Sequence, residues 1–151
     1  MPKPMTEQER QAFLAEPHVG VLSVASGDDN RPPLSVPIWY GYQPGGNITF
    51  FTGTFGRKAR KTELIKQSGS VSFCVQLGAF PYKYITVEGP VVQTGQPPSI
   101  EQVLAIARRY LPEDQVQGFA EAVLENSGPD FVHFTIRPDR WLTADFSDDA
   151  G

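Results

Sequence analysis

Cysteine is almost missing from this chain: Cys74 is the only one in 151 residues. No disulfide can form within it, so stability must come from a packed core, and the usage fits a reducing compartment. Long apolar runs are also missing. No stretch reaches the roughly 18 consecutive apolar residues of a membrane-spanning helix. Thr6-Glu7-Gln8-Glu9-Arg10 is polar where a signal peptide has its apolar segment. A cytoplasmic protein is the resulting expectation, with no membrane partner. Positive charge is not in excess: 13 Lys and Arg stand against 17 Asp and Glu, a net charge of -4. That balance argues against general affinity for nucleic acid, which depends on clustered cations neutralising phosphates. Histidine is scarce, and neither His18 nor His133 has a Cys or carboxylate at metal-ligand spacing, so both read as structural and no metal is expected. Several catalytic signatures are absent as well, among them the Walker loop, the Gly-x-Gly-x-x-Gly fingerprint, the Gly-x-Ser-x-Gly elbow and the His-Glu-x-x-His helix.

What is present is ordinary globular composition, with 40% hydrophobic and 20% charged residues. A chain of this length folding as one domain, 1–151, buries about 70% of its unfolded surface. Thr6 and Glu9 form a capping-box pattern that opens a helix to about Glu16. His18 to Ala25, rich in valine, reads as a strand, and Leu34 to Tyr42 as another, with Pro37 marking an edge position or a place where no ladder hydrogen bond is made. Gln43-Pro44-Gly45-Gly46-Asn47 is a hairpin turn that is expected to pair this second strand with a third, Ile48 to Thr52. Helical character runs from Arg57 to Gln67. Alternation around Val71–Val75, where Cys74 reads as a core thiol, and around Ile85–Val87 marks two more strands.

Ser99 caps a helix from Ile100 to Tyr110, and Pro112 starts another to about Leu124. Phe131 to Ile136 alternates again, Arg140 to Phe146 reads as a last short strand, and Asp145, Asp148 and Asp149 read as a solvated acidic tail. Six or seven strands with mostly short connections favour an antiparallel, mainly β barrel with helices packed outside. Trp39, Tyr40, Tyr82, Tyr84 and Trp141 read as packing aromatics.

The segment that carries chemistry is Phe50-Phe51-Thr52-Gly53-Thr54-Phe55-Gly56-Arg57-Lys58-Ala59-Arg60-Lys61. Arg57, Lys58, Arg60, Lys61 and Lys66 are five of the 13 Lys and Arg residues. A helix N-terminus already carries about half a positive charge, so each cation in its first turn is disfavoured by roughly 0.3–1 kcal/mol. A bound phosphate would compensate, held by first-turn N–H groups, a glycine-rich approach and cationic side chains. A solvated basic helix face is the alternative reading.

Strand, aromatic-Thr-x, short turn, Arg-Lys-Ala, helix: this order resembles the pyridoxamine 5'-phosphate oxidase-like superfamily of FMN-binding split β-barrels. Pro33-Leu34-Ser35-Val36-Pro37-Ile38-Trp39-Tyr40, Tyr82-Lys83-Tyr84-Ile85-Thr86-Val87-Glu88-Gly89 and Arg137-Pro138-Asp139-Arg140-Trp141 also look like members of that superfamily common in actinobacteria. The resemblance implies an antiparallel split barrel with the cofactor at a homodimer interface. It also implies an oxidoreductase that moves hydride to or from a small-molecule substrate, with no acid or base residue identified. Carried over, Thr52, Arg57 and Lys58 hold the phosphate, the backbone of Val36, Pro37 and Ile38 flanks the ring, and Phe51 is a further cofactor-binding residue. Lys83, Tyr84 and Trp141 lie near the ring edge or the substrate. Gly56 stands where the family often has a phosphate-binding Ser, which shifts the grip toward backbone N–H groups and Thr54. FMN is the first expectation for the cofactor and the deazaflavin coenzyme F-420 the alternative. A flavin or tetrapyrrole carrier without turnover is the rival from another class.

Overall fold

The computed structural model describes residues 2–53, 60–128 and 131–147. Helix α1, Glu7–Ala15, opens with the expected capping box: Thr6 Oγ1 accepts from the Glu9 N–H, and the Glu9 carboxylate accepts from the Thr6 N–H. Strands β1 (Gly20–Val24), β2 (Leu34–Ile38), β3 (Gly41–Tyr42) and β4 (Ile48–Thr52) follow, then α2 (Arg60–Ser68), β5 (Ser70–Leu77) and β6 (Lys83–Gly95). Helices α3 (Ile100–Ala107) and α4 (Glu113–Asn126) lead into β7 (Val132–Ile136) and β8 (Arg140–Asp145). Ser99 caps α3 with a second capping box, through Gln102.

Every strand pair is antiparallel, in the order β2-β1-β5-β6-β7-β4-β3, with β8 beside β6. The 13-residue β6 belongs to both halves of the barrel. Its first part, Lys83–Glu88, pairs with β8, and its last part, from Val91, pairs with β7. Between them the 137–139 corner crosses β6, where Arg137 N donates to Pro90 O and Asp139 N donates to Glu88 O. The sheet splits there, and the fold is an antiparallel split β-barrel.

Inward-facing Leu22, Phe50, Phe73, Ile85 and Phe134 fill the barrel. A smaller cluster, Val103, Ala120, Val123 and Phe131, joins α3 and α4 to the outside of the wall, with Phe51 packed against it. This second layer explains β7: the alternation predicts one wet face, yet all five residues are buried. His133 sits opposite Phe51 in register and is 5% exposed. Burial holds the imidazole of His133 below its usual range, and desolvation does the same at His18 against the opposing pull of Glu16.

Three expectations are corrected. The segment 34–42 is not one strand, because Tyr40 turns inward: its hydroxyl donates to the Leu14 carbonyl at 2.7 Å, and its N–H donates to the Tyr110 hydroxyl instead of a neighbouring strand. So β2 pairs with β1, and only the short β3 completes the hairpin with β4. Pro37 does lie on an edge strand. Cys74 is only half-buried, because Val71, Phe73 and Val75 take the inward positions of β5 and leave the thiol on the outer face. Asp145 belongs to β8, where its carboxylate accepts from the Ser147 N–H and lies 3.9 Å from the Lys83 ammonium. Asp148 and Asp149 lie outside the described residues.

Arg109, just past α3, stitches this side together. Its guanidinium stacks over the Tyr40 ring and donates to the carbonyls of Ala15, Glu16 and Tyr42. A cation on carbonyls at the end of α1 is well placed against the negative end of the helix dipole.

Candidate functional site

A cleft of about 230 Å³ opens where β2 ends, between β4 and α4. Trp39, Phe51, Phe119 and Phe131 form its aromatic walls. Trp39 lies nearly parallel to Tyr110, with centroids 4.8 Å apart, and tilts against Phe119 at 5.6 Å. Phe51 meets Phe131 edge-on at 5.3 Å. Pro37 and Ile38 complete the apolar lining. Phe51 is available because β4 alternates: Ile48, Phe50 and Thr52 face the barrel, which turns Phe51 outward under the helices.

Two polar side chains share this apolar space, Lys61 and Ser127. Ser127 is the C-cap of α4 and is 1% exposed, and its Oγ has no hydrogen-bond partner among the described residues. Gly53 passes against it so closely that a Cβ at 53 would lie 2.9 Å from that Oγ and 3.3 Å from the Phe131 ring. A side chain there would force Ser127 or the Phe131 ring to shift. Lys61 stands in the first turn of α2, and burial pushes its ammonium below the ordinary lysine range. Among the described residues, no acidic group makes an ion pair with it.

Of the sequence-predicted site residues, the structure gathers Pro37, Ile38 and Phe51 at this cleft. Thr52 sits directly behind it, fully buried, with its hydroxyl 2.6 Å from that of Thr62. That bond ties the end of β4 to the first turn of α2. Thr54, Gly56, Arg57 and Lys58 lie outside the described residues; nearby in the chain, Gly53 and Lys61 line the cleft.

The remaining predicted residues lie elsewhere. Val36 packs against the barrel core. Lys83 pairs with Asp145 across β6 and β8, while Tyr84 leans on Tyr82, which in turn leans on Phe146. Trp141 packs on the barrel core under the Arg10 guanidinium, 4.6 Å from its ring centroid. Within one chain these three do not line the cleft. Sequence reasoning missed Phe119, Ser127 and Phe131, and it took Trp39 for packing. No spacing rule connects them to the cationic turn, because α4 is brought to it only by the fold. Lys61 was visible as one cation of the cluster.

Among the described residues, no group of three or more His, Cys, Asp or Glu side chains is placed to hold a metal ion. No helix there is long and apolar enough to cross a membrane.

No family model matches the chain, and no curated protein does. Solved structures do. An F-420 reductase superposes with a TM-score of 0.64 and 23% identity, covering 87% of this chain and 94% of the other. A conserved hypothetical protein of Mycobacterium tuberculosis reaches a TM-score of 0.70 at 17% identity, over 97% of this chain and 89% of its own. An FAD-binding protein of Mesorhizobium loti gives 0.62 at 18% identity, over 96% and 98%. Two further matches are to putative pyridoxamine 5'-phosphate oxidases, of Listeria innocua and Corynebacterium glutamicum, and this chain shares the fold of these structures.

Proposed function

We propose that this chain binds a flavin-type cofactor, FMN first and the deazaflavin F-420 as alternative, and works with it as an oxidoreductase on a small organic substrate. The observation that carries the reading is the cleft itself: an aromatic-lined space with Gly53 and Lys61 in its wall, in the same stretch of sequence as Arg57 and Lys58. A flat conjugated ring suits the faces of Trp39, Phe51 and Phe119, and a phosphorylated tail suits the cations. When bound, the cofactor supplies the hydride chemistry, and the protein supplies position and electrostatics. In this reading Trp39 and Phe51 hold the ring, Phe119 and Phe131 keep water from it, and Arg57 and Lys58 neutralise the phosphate.

Two features support a homodimer with the cofactor at its interface. A cleft of about 230 Å³ is smaller than the roughly 300–1,000 Å³ of ligand sites, so one chain offers only part of a wall. Pro37, at that cleft, also begins a row on the outer sheet face that runs in register through Val21, Cys74, Thr86 and Leu142. Val21 is 40% and Leu142 61% exposed, an apolar stripe in need of cover. A second copy seated there meets the first at the cleft, with Tyr84 on the same outer face. Sedimentation is expected to show a dimer at micromolar concentration and a monomer for Val21→Glu. A monomeric wild type sinks this part of the reading.

Titration provides the main test. Only two tryptophans exist, Trp39 and Trp141. Adding FMN or F-420 is expected to quench the emission of Trp39, and Trp39→Phe is expected to lose most of that quench while keeping a flavin absorbance change. Absence of binding by either cofactor refutes the proposal. Bleaching of the bound ring by reduced nicotinamide, with recovery on adding an acceptor, separates an enzyme from a carrier.

A further inference from the structure

Lys61 and Ser127 pose the same question from two elements of the fold. An ammonium in the first turn of α2 sits against the positive end of the helix, half-buried, with no acidic partner among the described residues. Lysine is almost never withdrawn from water without a partner. Ser127 Oγ is buried and unpartnered among the described residues, and a buried hydroxyl without a hydrogen bond is destabilising. Both line one cleft that is otherwise apolar, and Gly53 keeps the space at Ser127 free of any Cβ.

A purely hydrocarbon occupant would leave both groups unsatisfied. A lysine offers donors only, while a serine hydroxyl donates or accepts. Together they suit an aromatic ring whose edge carries a carbonyl or a negatively charged acceptor next to an N–H. The pyrimidine edge shared by flavins and deazaflavins has that alternation. Of its two carbonyls, that at C2 is the nearer to N10, the ring nitrogen that carries the tail, with C10a and N1 between them. Lys61, three residues after Lys58 in the sequence, supplies a cation for that carbonyl.

Resting on the cofactor reading above, we propose that Lys61 and Ser127 form a ring-edge anchor, separate from the phosphate grip, that recognises the pyrimidine side of the cofactor. Lys61 binds the carbonyl nearest the tail, and Ser127 binds the neighbouring polar edge. A fixed positive charge at this edge favours the reduced ring, so Lys61 also raises the midpoint potential of the bound cofactor.

Riboflavin, which has the ring and lacks the phosphate, separates this anchor from the tail site. Lys61→Met is expected to weaken FMN and riboflavin by the same factor, roughly tenfold. It is also expected to lower the midpoint potential of bound FMN measured by spectroelectrochemistry. Ser127→Ala is expected to weaken both ligands several-fold, and Lys61→Arg to hold both near wild type. Weakening of FMN with riboflavin unchanged would assign Lys61 to the tail and overturn the proposal. So would unchanged affinity for both, or a wild type that binds FMN but not riboflavin. If Lys61→Met loses its fold by circular dichroism, Ser127→Ala decides by the same comparison. A wild type that binds none of FMN, F-420 and riboflavin refutes the cofactor reading itself.

Discussion

Replacing Arg57 and Lys58 together by alanine is expected to weaken FMN binding by roughly 3–6 kcal/mol, because each charge-assisted hydrogen bond contributes roughly 1.5–3 kcal/mol. In dissociation constants that is about two to four orders of magnitude. The ligand-free protein responds differently. Cations at the start of a helix are disfavoured by roughly 0.3–1 kcal/mol each, so their removal leaves the melting temperature unchanged or slightly higher. A double variant that melts normally and has lost FMN identifies the turn as the phosphate grip. Equal affinity in the variant and the wild type would mean that the cations are a solvated face. The turn has firm ends: Thr52 bonds to Thr62, and Gly53 is wedged against Ser127.

Gly89→Ala is expected to destabilise the fold by more than about 3 kcal/mol, beyond the usual range for overpacking. A Cβ at this position would lie 1.7 Å from the carbonyl oxygen of Arg137. The obstacle is backbone, held by the Arg137 N–H on Pro90 O and the Asp139 N–H on Glu88 O, so no side-chain rotation relieves it. Relief requires moving the corner at which β6 passes from β8 to β7, where the barrel splits. For a chain of this size the melting temperature falls by roughly 6–12 °C. Gly118→Ala is the control: nothing lies within 4 Å of a Cβ there, and it sits inside α4. Alanine there is expected to stabilise by roughly 0.5–1 kcal/mol. If Gly89→Ala melts within about 2 °C of wild type, this account of the crossing is wrong.

Local chemistry was legible wherever a short stretch carried its own reason. Thr6 with Glu9 and Ser99 with Gln102 close capping boxes. The turn Gln43–Asn47 does join a hairpin, of β3 with β4, and Pro37 does mark an edge. The resemblance located in the cationic segment and its neighbours implied the split barrel, which the fold and its structural neighbours share. Legibility failed where the partner of a strand was at issue. Nothing near Tyr40 announces that its hydroxyl belongs to the Leu14 carbonyl, so 34–42 reads as one strand when it is two. Burial failed in the same way at β7, whose outer face is covered by a layer from α3 and α4 that no window of six residues contains.

By itself, the sequence determined most of the elements, the caps, the absence of disulfide staples and the concentration of cations in one short stretch, because each follows from residues within a few positions of one another. The tertiary structure alone decided that α4 lies against β4, so that Phe119, Ser127 and Phe131 join Pro37, Phe51 and Lys61 in one cleft. The physical reason is that packing is a relation between surfaces distant in the chain. Phe51 is outward because Phe50 is inward, and what covers it depends on how the helices close over the barrel.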